Sequence, residues 1–210
     1  MPNALNFLEA CPLRNHSFLI KPVVLEITPM DILAQTCEKV ILTVLTIPTM
    51  KSWMIALLLL LVIVLFCLPI GLWCNFLEVK VQKLSFMKFI GVLASRFLFP
   101  CFAEELIFRV LFLPEKNSPT SIRIQIVLGV VSLTTYVACH PLNALLFYRK
   151  ALGVFTNPFF LLSTTVLGIA CTITYVESGS IWTPVAVHWI TVIGWLLTLG
   201  GYSKLRFVEE

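Results

Sequence analysis

Inside an otherwise apolar stretch, the sequence sets Phe102-Ala-Glu-Glu-Leu-Ile-Phe-Arg109, two adjacent carboxylates followed by a guanidinium. A charged side chain near the middle of a bilayer costs about 2.5–3.5 kcal/mol on an insertion scale, so three of them need partners. Ionisable groups held at such a depth are functional candidates, and a carboxylate there is suited to holding a water and taking its proton. Helical geometry sorts the three. Glu105 and Arg109 are four apart on one face, with the glutamate N-terminal, the favoured orientation for an ion pair. Glu104 lies about 100° round the helix and need not share the arginine. The simplest assignment makes Glu105–Arg109 a structural pair and leaves Glu104 as the working carboxylate. The competing assignment is a single buried network that only locks helices together.

The elements that must carry these residues follow from composition. The chain has 210 residues, 59% hydrophobic and 12% charged, with a mean hydropathy of +0.95. That excludes an ordinary soluble domain and predicts an all-α, polytopic transmembrane bundle of about five spans plus an N-terminal amphipathic helix. The net charge of +4 comes without a basic run, so nucleic acid is not expected as a partner, whereas the lipid bilayer is. Seven cysteines, an odd count with no Cys-x-x-Cys pair, read as small buried hydrophobes and not as a disulfide framework. Cys139 beside His140 is not expected to be a thiol nucleophile, because adjacent residues on a helix point in different directions.

Residues 1–52 form an N-terminal region with prolines at Pro2, Pro12, Pro22 and Pro29, and His16 is expected to be solvated. No cleaved signal peptide is expected, for want of a basic start and a continuous apolar run. Asp31 is expected to cap an interfacial helix through about Thr46, with Leu33, Cys37, Val40, Ile41, Val44 and Leu45 as its apolar stripe and Gln35, Glu38 and Lys39 opposite. Residues 53–77 read as the first span, with tryptophan near each end. A core over residues 86–199 holds four more: Phe86 to Leu113, with a break at Pro100; Ile122 to Cys139, ending on His140 and Pro141; Pro158 to Tyr175, almost featureless chemically; and Ile181 to Leu199, containing His188. Residues 200–210 make a short charged tail. Lys80, Lys83, Lys88, Arg149, Lys150, Lys204 and Arg206 gather on one face, so the positive-inside rule puts the C-terminus in the cytoplasm.

Of three histidines, His140 and His188 lie in or at the ends of apolar spans. Neutral imidazole and carboxylate are the usual pieces for holding a water or a metal and moving a proton. Counting rise per residue, Glu104 and His188 fall roughly 15 Å and 16 Å from one face, while His140 comes out around 25 Å deep unless its helix tilts.

The order Glu104-Glu105-x-x-x-Arg109, then Tyr136-Val-Ala-Cys-His140, then His188 resembles the CPBP family of intramembrane proteases. That family takes in the type II CAAX prenyl endopeptidases and Abi-type, bacteriocin-related proteins. The resemblance covers about Phe86 to Leu199 and implies an intramembrane endopeptidase. By that resemblance Glu104 and His140 activate a water that attacks a peptide carbonyl, His188 stabilises the oxyanion, and Glu105, Arg109, Tyr136 and Thr191 support them. Two positions depart from the family pattern. Tyr136 stands where phenylalanine is usual, and Val192 stands where the third motif has an asparagine, with Thr191 beside it. The resemblance implies no cofactor in a metal-free glutamate mechanism. In a metal-dependent one, Glu104, His140 and His188 would ligate zinc. Its expected partners are a peptide or prenylated membrane-protein substrate and the bilayer. The readings set against it are a non-catalytic scaffold or bacteriocin-immunity-type protein of the same fold, favoured by Val192, and a small proton-coupled transporter, disfavoured by the absence of inverted repeats.

Overall fold

The computed structural model describes residues 29–206. His16 and the prolines Pro2, Pro12 and Pro22 lie outside the described residues, as does the end of the tail. The described chain is helical: α1 (Pro29–Leu45), α2 (Met50–Trp73), α3 (Phe86–Arg96), α4 (Ala103–Glu105), α5 (Ile122–Phe147), α6 (Leu152–Phe155), α7 (Pro158–Ser178), α8 (Trp182–Thr198) and α9 (Gly201–Arg206). Wider π-helical turns, Phe97–Phe102 and Leu106–Leu111, flank the single α-turn of α4. Four stretches are long and apolar enough to cross a membrane, Met50–Trp73, Phe86–Leu111, Ile122–Phe147 and Pro158–Ser178, while α8 is a shorter apolar helix. The protein is an integral membrane protein built as a helical bundle.

Local chemistry sets the boundaries, and several differ from those expected. The first span starts earlier and ends at Trp73, because Asn75 takes a left-handed φ of 56° and turns the chain out of the helix. Leu77 is thereby folded back, its amide donating to Gly71 O at 2.8 Å. The break expected at Pro100 is present one residue before it. Phe99 has φ −142° and ψ 121°, the extended conformation that a following proline imposes. By contrast Pro141 does not end α5, which runs on to Phe147, so His140 lies inside the helix and not at its end. In a membrane bundle a proline is tolerated mid-helix when neighbours compensate the lost amide. α7 begins on Asn157, whose side chain accepts from the amides of Phe159 and Phe160, and stops at Gly179, φ 69°.

α1 is present, but its start differs from the one expected. Asp31 falls inside its first turn and so is not its cap. Leu33, Cys37, Ile41 and Leu45 face outward, while Lys39 and Thr43 turn towards the bundle. Lys39 Nζ donates to Leu113 O at 2.5 Å, Trp182 Nε1 to Val44 O at 2.8 Å, and Ser180 Oγ to Thr46 O at 2.6 Å. The face of α1 held against the protein is therefore a mixed one, Lys39, Val40, Thr43 and Val44, at the end of the bundle where α7 turns into α8, while Gln35 and Glu38 are exposed. At the other end, Lys80 N donates to Thr198 O at 2.9 Å, tying the loop after α2 to the end of α8.

α7 is the central post. Phe159, Phe160, Leu167, Ala170 and Cys171 pack with Ala56, Ile63 and Cys67 of α2 and Val187 of α8 in one apolar cluster. A second cluster, Val110, Leu113, Tyr175, Ile181 and Val185, closes the end near α1. Between the two lies the polar centre.

A carboxylate–histidine centre inside the bundle

The single α-turn between two wider turns carries both glutamates. A π-type turn inside a helix re-aims the side chains next to it, and such turns recur at functional sites. Glu105 and Arg109 are both fully buried. Arg109 Nε stands 3.2 Å from Glu105 Oε2, and Arg109 also donates to Gly168 O at 3.1 Å. Its guanidinium carbon lies 4.5 Å from the centre of the Tyr136 ring. A charge buried this far persists only with such partners.

The other oxygen of Glu105 reaches α8. His188 Nδ1 is 2.8 Å from Glu105 Oε1. Since the carboxylate accepts, Nδ1 carries the proton, and Nε2 is turned the other way. There it faces Glu104 Oε2 at 3.9 Å, too far for a direct hydrogen bond. Glu104 is the less enclosed carboxylate, its side chain 18% exposed against 0% for Glu105. Its Oε2 atom is buried and has no hydrogen-bond partner. The line Arg109–Glu105–His188–Glu104 thus runs from a close buried ion pair, in which Arg109 Nη1 keeps no hydrogen-bond partner, to a carboxylate whose Oε2 makes no hydrogen bond.

His140 is joined to this line through Tyr136. One turn apart on α5, the two rings meet edge to face at 5.0 Å. Tyr136 also meets the His188 ring at 6.1 Å. His140 Nδ1 donates to Tyr136 O at 2.9 Å. A carbonyl can only accept, so Nε2 of the neutral ring keeps its lone pair. His140 sits against Phe155 and Phe160, and among the described residues no hydrogen bond or ion pair joins it to Glu104. Thr191 gives its hydroxyl proton to Val187 O at 2.8 Å. With Val192 it lines an apolar cavity beside α2.

The donor set does not fit zinc on Glu104, His140 and His188. Among the described residues the one group whose ligand atoms come within 4.8 Å of one another is Glu105, Cys171 and His188. There the carboxylate is already held by Arg109 and His188. A guanidinium against that carboxylate opposes a second cation.

Three contributors carried no signal of their own in the sequence reading. Gly168 supplies the carbonyl for Arg109. Cys171 packs beside Glu105 and His188 and donates to Pro184 O at 3.6 Å. Ser132 donates to Phe108 O, fastening α5 to the turn after the glutamates. The signal that marks the first two is a stripe of small residues on α7, at Thr164, Gly168, Cys171 and Thr172, such as lets helices approach closely in membranes.

Residues 52–194, more than half of the chain, match the family model described as type II CAAX prenyl endopeptidase Rce1-like. No curated protein and no solved structure matches the chain.

Proposed function

The chain belongs to the Rce1-like family of type II CAAX prenyl endopeptidases, and we propose on that footing that it hydrolyses a peptide bond with Glu104 as general base and His188 as oxyanion donor. The observation that carries the assignment is the contrast between the two carboxylates. Glu105 is spent on Arg109 and His188, whereas Glu104 Oε2 is buried, makes no hydrogen bond and stands 3.9 Å from His188 Nε2. A water lodged against both groups finds an acceptor and a donor at once.

The chemistry balances without another group. Glu104 takes a proton from the water as its oxygen adds to the peptide carbonyl. The resulting oxyanion accepts from Nε2–H of protonated His188, whose other nitrogen is held by Glu105. The C–N bond then breaks, and Glu104 returns its proton to the departing amine. His140, with an Nε2 lone pair, assists the deprotonation. The substrate is a peptide on a membrane protein, prenylated by analogy with the family, entering from the bilayer. The C-terminus faces the cytoplasm, supported by Lys80, Lys83, Lys88, Arg149, Lys150 and Lys204 on that side.

One observation favours a second reading, a scaffold of the same fold without catalysis. Val192 has no donor to offer, and the hydroxyl of Thr191 is bound to Val187 O. The deciding experiment is cleavage of a farnesylated peptide by purified protein in lipid, with Glu104→Gln as control. Cleavage by the natural chain and its loss in Glu104→Gln support the protease. Equal cleavage by both takes the role of base away from Glu104, and no cleavage by a folded natural chain supports the scaffold.

A further inference from the structure

A cavity of about 490 Å³ lies between α2, α7 and α8, with Arg96 of α3 at its margin. That volume falls in the range of sites that take a small ligand, about 300–1,000 Å³. Leu60, Val64, Leu68, Phe159, Leu167 and Val192 are among its walls. The hydroxyls of Ser163, Thr191 and Thr198 on this lining are bound to carbonyls of their own helices, and the lining residues Arg96 and Trp195 add two further polar atoms, Arg96 Nε and Trp195 Nε1. Both are buried, and both lack a hydrogen-bond partner. An orphaned buried N–H is costly, and two such donors on one cavity point to an acceptor that enters it.

We propose that the cavity is a binding site for an anionic membrane lipid, with one hydrocarbon chain along the α2–α7 wall and oxygens of the head group accepting from Arg96 and Trp195. Access supports a lipid. Val64 both lines the cavity and is 47% exposed on the outer surface of a spanning helix, so the opening lies in hydrocarbon. Charge supports an anion. The cavity reaches Thr198 and Leu199, the residues that pair with Lys80, at the end of the bundle that also carries Lys83, Lys88 and Lys204. Basic residues near a bilayer surface draw anionic lipid at about 1 kcal/mol each.

The cavity adjoins the carboxylate–histidine centre across an aromatic wall. Phe155 and Phe160 line it and turn their rings to His140 at 6.2 Å and 5.7 Å. Val192, one turn beyond His188 on α8, contributes a hydrocarbon side chain to the cavity lining.

The test uses the full chain purified in detergent, with phosphatidylglycerol and phosphatidylcholine as probes and native mass spectrometry as readout. One phosphatidylglycerol is expected per chain, with phosphatidylcholine at least tenfold weaker. Arg96→Gln and Trp195→Phe are each expected to weaken retention of phosphatidylglycerol about tenfold. Gly194 lines the cavity, and a Cβ there meets nothing within 4 Å, so Gly194→Leu should fill the space without disturbing the helix. Its expected result is loss of the lipid with an unchanged or higher melting temperature. Equal retention of the two lipids, or full retention in Gly194→Leu, would overturn the proposal. Displacement of the lipid by a farnesylated peptide, one for one, would overturn it too, by giving the cavity to the substrate. Glu104→Gln should bind the lipid as the natural chain does, which separates this site from the proposed hydrolysis.

Discussion

Glu105 and His188, 83 residues apart, meet at 2.8 Å with both side chains buried. That contact fixes the imidazole from one side, and the Arg109 ion pair fixes the carboxylate from the other. The turn of helix after the broken span is therefore bolted to α8, to Gly168 of α7 and to the Tyr136 ring of α5. Glu104, its immediate neighbour, is left out of this lattice. A buried ion pair beside a carboxylate whose Oε2 makes no hydrogen bond is an arrangement suited to general-base chemistry.

Glu104→Gln should separate chemistry from folding. The side chain has no hydrogen-bond partner for Oε2 to lose, and an amide of the same shape removes only the base. The melting temperature should stay within a few degrees of the natural chain's, while peptide hydrolysis falls about 10²–10⁴-fold. Turnover of a farnesylated peptide, measured beside a thermal melt, checks both halves.

Arg109→Met should behave in the opposite way. It leaves the Glu105 charge buried without its partner, a loss of about 3–5 kcal/mol for breaking a buried pair. Glu105→Gln removes the complementary charge. The double variant should be less destabilised than the sum of the singles, because no unpaired charge remains. Denaturation in mild detergent across the four proteins reads the coupling. Strict additivity would mean that the 3.2 Å approach contributes nothing.

Much of this was legible in the sequence, for particular reasons. The spacing of Glu105 and Arg109 depends only on helical phase, and the two side chains do meet across one turn. Pro100 predicted a break because the residue before a proline avoids the helical region, and Phe99 does. The extent of α5 was not legible. Pro141 reads as a stop, yet the helix passes through it, so His140 ends up facing Phe160 inside a continuous helix. Nor was α7 legible as the central post. Its chemical role rests on a backbone carbonyl and on the lack of a side chain at Gly168, and neither leaves a mark in hydropathy. Which face of α1 meets the bundle was not legible either, since Lys39 finds its partner in Leu113 O, a long-range contact that periodicity does not contain.

Gly168→Ala tests that hidden contribution. A Cβ there would stand 2.6 Å from Leu133 Cδ1 and 3.0 Å from Tyr136 Cδ1. The leucine methyl can swing away, but the tyrosine ring is held by Arg109 and both histidines. The expected cost is about 1–3 kcal/mol, typical of overpacking. Activity should fall further than stability, because Tyr136 and the Arg109 anchor move together. The readout is the melting temperature and the cleavage rate of one preparation.

Chelation should leave hydrolysis unchanged. Glu104, His140 and His188 do not bring three ligand atoms together, and the set that does, Glu105, Cys171 and His188, faces Arg109. Dialysis against a strong zinc chelator, followed by the cleavage assay and metal analysis, checks this. Activity lost to the chelator and regained with added zinc would require the centre to rearrange around a metal.

Val192→Asn makes the most demanding prediction, because it sets two costs against each other. Val192 is one turn beyond His188 on α8, so an amide there adds a second N–H donor on the same helical face. Where one oxyanion donor has been removed from a working site, the loss was about 10²–10³ in rate. Restoring one should therefore raise kcat by at least tenfold if hydrolysis runs through His188. Against this, the residue lines an apolar cavity, and a buried amide without full partners costs about 1–3 kcal/mol. The expected variant is faster and less stable. A variant that is only less stable, with kcat unchanged, would show that nothing anionic develops beside His188, and the scaffold reading would then account for the centre better than proteolysis does.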